Sequence, residues 1–123
     1  MHYPANYGFV PNTLSGDGDP IDVLVVSKYN LTPGSVIEAK PIGVLITQDE
    51  KGMDEKIIAV PSNAVSAEYI NINNIDDLPQ LTRDQIQHFF EHYKDLESGK
   101  FVKVENFLGA VEAKEILVKS MQT

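Results

Sequence analysis

The sequence contains no cysteine. That excludes a disulfide framework and any thiolate metal site, and it is compatible with a reducing compartment. No apolar run approaches the roughly 20 residues needed to span a bilayer. The first residues, Met1-His2-Tyr3-Pro4-Ala5-Asn6-Tyr7-Gly8, lack the basic stretch and apolar core of a secretory signal. A soluble, cytoplasmic protein is therefore expected. Positive charge is also scarce: 10 Lys+Arg stand against 18 Asp+Glu, for a formal net charge of -8. Such a balance works against gripping a nucleic-acid backbone or an anionic membrane surface, and the aromatic residues are not interleaved with a basic stripe. A basic partner or bound cations would suit this chain better.

What is present is enough for one core. The 123 residues are 42% hydrophobic and 23% charged, which fits a single globular domain spanning residues 1–123, with no internal repeat, low-complexity tract or linker. The first twenty residues carry Gly8, Gly16 and Gly18 and Pro4, Pro11 and Pro20, and read as loop. Ile21 to Val26 is short, β-branched and bounded by turn residues, and predicts a buried strand. Val36 to Ile46 predicts a second strand, bent or bulged at Pro41 and Gly43. After an acidic turn at Asp49-Glu50-Lys51-Gly52, Lys56 to Val60 predicts a third.

The second half changes period. Ile86, Phe89, Phe90 and Tyr93 recur at helical spacing within Leu81 to Lys94, with Thr82 as the expected N-cap. Lys100 to Asn106 alternates as a further strand, and Ala110 to Met121 is an amphipathic closing helix. The expected class is mainly β with α, a small barrel or curved sheet covered by one or two helices.

Chemistry concentrates in Asp17-Gly18-Asp19-Pro20-Ile21-Asp22, three carboxylates within six residues on a turn that runs into a strand. Like charges gathered so closely destabilise a fold unless cations neutralise them, and hard oxygen ligands suit Mg²⁺ or Ca²⁺. The alternative is that Asp, Gly and Pro simply form a turn. An EF-hand is excluded, because Ile21 and Lys28 fall where oxygen ligands are required. The second acidic turn, Asp49 to Glu55, is either a solvated hairpin tip or, if its strands lie beside the one starting at Ile21, a partner of the first turn in holding several divalent ions. Tyr3, Tyr7, Tyr93 and Lys94 add donors suited to phosphate. Each has a structural explanation too, as a core-rim tyrosine or a helix-end lysine. His88-Phe89-Phe90-Glu91-His92 matches the H-x-x-E-H zinc-peptidase pattern, but nothing nearby announces a third ligand.

Taken together, these residues resemble the soluble family I inorganic pyrophosphatases. The resemblance runs through Tyr3 to Phe9, Thr13-Leu14-Ser15, Asp17 to Val25, Pro33 to Ile37, Asp54 to Pro61 and His88 to Glu97. Its most specific element is the string Asp17-Gly18-Asp19-Pro20-Ile21-Asp22-Val23. It implies an OB-like β-barrel with outer helices and Mg²⁺-dependent hydrolysis of inorganic diphosphate to two orthophosphates. It further implies that Asp17, Asp22 and Asp54 hold the metal that activates water, with Asp22 reaching a second ion, and that Asp49 joins Asp54 in binding a metal delivered with the substrate. Asp19 would be the general base, and Tyr7, Tyr93 and Lys94 would grip the phosphates. The family's helix carries the same H-F-F-E-H-Y-K run without binding zinc through it. Bacterial relatives are commonly homohexamers, so a homo-oligomer is expected.

The resemblance places a segment of barrel strands, with a glutamate, a lysine and an arginine of the site, ahead of Tyr3 in family members, so an N-terminally incomplete barrel is expected for residues 1–123. Phe101 and Phe107 stand where relatives often carry Trp, and the sole arginine here is Arg83. The alternative expectation is accordingly a catalytically silent domain that still binds divalent metal or self-associates through exposed sheet edges. On the pyrophosphatase resemblance, His88→Ala and His92→Ala leave Mg²⁺ binding intact in a calorimetric titration. Loss of metal binding in those variants would instead support the zinc arrangement.

Overall fold

The two most hydrophobic strands predicted from sequence become the centre of one mixed sheet. The computed structural model describes residues 5–11, 13, 20–27, 36–49, 52–92 and 102–121. Five strands, β1 (Ala5–Phe9), β2 (Asp22–Val26), β3 (Ala39–Asp49), β4 (Gly52–Pro61) and β5 (Val102–Gly109), lie in the order β1-β2-β4-β3-β5. β2 and β4 run parallel and every other pairing is antiparallel. A parallel pair in mid-sheet is covered on both faces and needs apolar residues at successive positions rather than at alternate ones. Leu24-Val25-Val26 and Ile57-Ile58-Ala59-Val60 supply them, all buried.

Alternation along the strands sorts the side chains into two cores. Leu24, Val26, Leu45, Ile58 and Val60 pack on one face with Ile86 and Phe90 of helix α1 (Gln80–His92). Ile21, Val44 and Ile57 pack on the other with Ala113 of helix α2 (Ala110–Ser120), joined by Leu108, Ile116 and Leu117. Between β4 and α1, two short 3-10 turns at Ala67–Tyr69 and Ile75–Asp77 cross the end of the sheet and bury Ile75 and Leu78 in the α1-side core. Lys40 holds this crossing, donating to Asn63 Oδ1 at 3.0 Å and Asn73 Oδ1 at 2.9 Å. Asn74 Oδ1 accepts from Ala110 N at 2.8 Å, satisfying one of the free N–H groups that begin α2.

The expected class, mainly β with α, is met, and several details differ. Residues 5–9 form a strand rather than a loop, because pairing with β2 overrides the low strand propensity of Asn and Gly. β3 and β4 extend to Asp49 and from Gly52, so Asp54 is a strand residue and not part of a turn. Thr82 is not the N-cap. The Pro79 carbonyl already accepts from Arg83 N at 3.2 Å, which starts the helix at Gln80 and leaves Thr82 inside its first turn. The expected bend in β3 is present as a register shift between Pro41 and Gly43 against β4, and a second shift follows Ile46 against β5. The continuation of α1 to Lys94 lies outside the described residues.

Gly43 sits at the bulge for a steric reason. A Cβ there would lie 2.7 Å from the Leu108 carbonyl oxygen and 2.8 Å from Ile75 Cβ, so the bulge, β5 and the 3-10 crossing close on a residue without a side chain. Gly43→Ala is therefore expected to destabilise the fold by about 1–3 kcal/mol. Urea unfolding should show a lower midpoint at unchanged slope, and an unchanged midpoint would refute the close approach.

Candidate active site

The α1-facing side of β2 and β4 changes character along its length. From the far end it reads Val26 and Leu24 on β2 and Val60 and Ile58 on β4, all in the core; the next positions on the same face are Asp22, Lys56 and Asp54. Parallel register sets Asp22 directly beside Lys56. Asp54 precedes Lys56 by two residues and so shares its face. Three charged side chains thus meet at the N-terminal ends of the two central strands.

Their geometry is that of two carboxylates around one cation. Lys56 Nζ donates to Asp54 Oδ2 at 2.7 Å and to Asp22 Oδ2 at 3.1 Å. The lysine side chain is 5% exposed, whereas those of Asp22 and Asp54 are 31% and 23% exposed. Burying an ammonium this deeply is costly unless it is paired and hydrogen-bonded, and the two carboxylates meet that demand. Nζ also lies 5.4 Å from the centroid of the Phe90 ring, within the range of a cation–π contact. Phe89 packs edge-on against Phe90, with ring centroids 5.2 Å apart and planes at 86°. The second oxygen of Asp54 is also engaged, since Oδ1 accepts from Glu55 N at 3.0 Å.

Hydrogen bonds join Val10, Thr13 and Ile21 just ahead of Asp22. Val10 N donates to the Ile21 carbonyl at 2.8 Å. The buried Thr13 donates from Oγ1 to the Val10 carbonyl at 2.6 Å and accepts from Ile21 N at 3.0 Å. These bonds hold Thr13 against Ile21, one residue before Asp22.

Of the residues singled out from sequence, Asp22 and Asp54 are brought together. Asp49 ends β3, its backbone in register with Gly52 across the hairpin, two positions from Asp54 on the facing strand. Tyr7 lies in β1, in backbone register with Leu24. Asp17, Asp19, Tyr3, Tyr93 and Lys94 lie outside the described residues. His88 is exposed on α1, and among the described residues no group of three or more His, Cys, Asp or Glu side chains is placed to hold a metal. Arg83 turns to its own helix and the preceding crossing, donating to Gln80 Oε1 at 2.8 Å and Asp76 Oδ1 at 3.5 Å.

Lys56 is the site residue that sequence reasoning passed over. The available signal was a lysine opening an otherwise apolar buried run, Lys56-Ile57-Ile58-Ala59-Val60, two residues after an aspartate. A lysine in such a strand must find a counter-charge on its own face. Two carboxylate oxygens from adjacent strands that already converge on one cationic atom are also the hard, anionic donors that a divalent ion requires.

Comparisons with known proteins bear on the chain as a whole. The model of the inorganic pyrophosphatase family matches residues 1–123. The inorganic pyrophosphatase of Mesorhizobium japonicum is 56% identical over 122 residues, covering 99% of this chain and 69% of its own length. That of Escherichia coli is 55% identical with the same coverage, 99% and 69%. Among solved structures, the inorganic pyrophosphatase of Helicobacter pylori superposes with a TM-score of 0.93 at 51% identity, covering 98% of this chain and 71% of that one. No helix among the described residues is long and apolar enough to cross a membrane. By sequence along its whole length and by the superposition of its sheet and helices, the chain belongs to the family of inorganic pyrophosphatases, the enzymes that hydrolyse inorganic diphosphate to two orthophosphates.

Proposed function

We propose that the chain performs this hydrolysis with Mg²⁺ at the end of the sheet marked by Asp22, Asp54 and Lys56. In this proposal residues 1–123 act as one unit, in the cytoplasm and as a homo-oligomer. The observation that carries the assignment is the convergence of Asp22 Oδ2 and Asp54 Oδ2 on a single cationic nitrogen. Asp17, Asp22, Asp49 and Asp54 are the residues that would hold Mg²⁺. When bound, the ions supply charge neutralisation at the phosphate oxygens and a lowered pKa for water.

The remaining roles belong to the chain's own side chains. Asp19 takes the proton from the attacking water. The water oxygen bonds to one phosphorus, the bridging P–O bond breaks, and the second orthophosphate departs with the bridging oxygen. Tyr7, Tyr93 and Lys94 hold the phosphate oxygens, and the lysine offsets charge that builds on the leaving group. Asp22 and Asp54 stand on the paired central strands, so the sheet would fix the positions they offer to cations, which suits phosphoryl transfer, where positioning and electrostatics supply most of the rate. Identity of 56% across 99% of the chain favours this activity over a catalytically silent domain.

Orthophosphate release from diphosphate by the purified chain with Mg²⁺ is the test. Turnover should vanish in Asp17→Asn and fall by about 100- to 10,000-fold in Asp19→Asn, with the circular dichroism spectrum unchanged in both. Turnover retained in Asp19→Asn removes Asp19 as the base. A folded wild-type chain with no turnover supports the silent-domain alternative.

A further inference from the structure

Lys56 already engages the carboxylate oxygens that a divalent ion held by Asp22 and Asp54 would use. The lysine side chain is 5% exposed, while those of Asp22 and Asp54 are 31% and 23% exposed, so solvent reaches the carboxylates more readily than the ammonium. An ion arriving from solvent meets carboxylates whose Oδ2 atoms are engaged by Nζ at 3.1 and 2.7 Å. Bound at about 2.0–2.1 Å from such oxygens, Mg²⁺ would lie only a few ångströms from the ammonium. Two like-signed cations at that separation repel strongly in a partly dry site.

We infer that Lys56 is the internal counter-ion of this site and sets the Mg²⁺ concentration at which the site fills. With two carboxylates and one ammonium, the described cluster carries a single net negative charge; without the ammonium it carries two, which a divalent ion neutralises. The lysine therefore lowers metal affinity, and it stabilises the fold when divalent ions are scarce. Phe90 gives the displaced ammonium somewhere to go. Its ring centroid already lies 5.4 Å from Nζ, so a short withdrawal of the side chain keeps the charge against an aromatic face. Mg²⁺ binding is then an exchange of one cation for another, and the cost of loosening the lysine is part of the measured affinity. This inference rests on Asp22 and Asp54 being metal ligands.

The test is calorimetric titration of the 123-residue chain with Mg²⁺ alone, without substrate, alongside thermal melting with and without Mg²⁺. Lys56→Met and Lys56→Gln remove the charge, Lys56→Arg keeps it, and Asp54→Asn removes a ligand. Both neutral variants should bind Mg²⁺ about tenfold more tightly, equivalent to about 1.4 kcal/mol, while Lys56→Arg stays close to wild type. The Mg²⁺-induced rise in melting midpoint should also be larger in the neutral variants, because binding to the folded state stabilises it in proportion to the logarithm of ligand concentration over Kd. The glutamine variant retains a polar end that can hydrogen-bond to either aspartate, so it serves if the methionine variant does not fold. Unchanged or weaker Mg²⁺ binding in a folded neutral variant, with binding lost in Asp54→Asn, overturns the counter-ion role and leaves the metal ligands standing. Wild-type binding in Asp54→Asn removes Asp54 from the metal site, and the counter-ion role falls with it.

Discussion

The parallel pairing of β2 with β4 is the constraint on which the remainder of the molecule depends. It buries both strands on both faces, which is why successive rather than alternate residues are apolar in Leu24-Val25-Val26 and Ile57-Ile58-Ala59-Val60. The same register sets Asp22 beside Lys56 at the edge of that apolar block. One backbone arrangement therefore defines both the core and the place where charge enters it. The lysine is stable there because its stem continues the core, its ring contact is with a core phenylalanine, and its ammonium finds two carboxylates.

The two helices and the crossing segment divide the labour of supporting that pair. α1 brings Ile86 and Phe90 onto the face that carries the site, so the residue beneath Lys56 belongs to the same cluster that stabilises the sheet. α2 covers the opposite face through Ala113, Ile116 and Leu117. Asn74, in the crossing between β4 and α1, accepts through Oδ1 from Ala110 N at the start of α2 and so ties the crossing to that helix. Gly43, closed on by β5 and by Ile75, lets that crossing lie against the bulge in β3. None of these residues is near the carboxylates in sequence, yet each restricts how β3 and β4 can lie. Precision at a polyanion site depends on such rigid support, since cations and donors act through fixed placement.

Much of this was legible residue by residue. The run Val23 to Val26 and the run Ile57 to Val60 announced buried strands, and Phe89-Phe90 at helical spacing with Ile86 announced the helix that covers them. Asp22 and Asp54 were identifiable because like charges gathered in two acidic segments are costly without cations, and because both fall in stretches that resemble the pyrophosphatase family. Other elements were hidden for stated reasons. β1 contains Asn6 and Gly8 and looks like loop, because its strand geometry comes from its partner β2 and not from its own propensities. Thr82 looks like a cap until the Pro79 carbonyl is seen to accept from Arg83 N, which starts the helix at Gln80. Lys56 was overlooked because its nearest acidic neighbours in sequence resemble an ordinary charged turn.

The amino-acid sequence by itself determined the fold class, the central apolar strands, the covering helices and the acidic character of the site, since those follow from composition and from short-range periodicity. Only the tertiary structure decided that Asp22 and Asp54 share one cation and that this cation is a buried lysine. Asp22 and Lys56 are 34 residues apart in the chain, and β3, the strand that lies between them in sequence, is on the far side of β4 in space. Local patterns report which face a residue occupies. Which strands become neighbours, and in which register, is settled by the packing of the whole sheet, and the electrostatics of the site depend on that register.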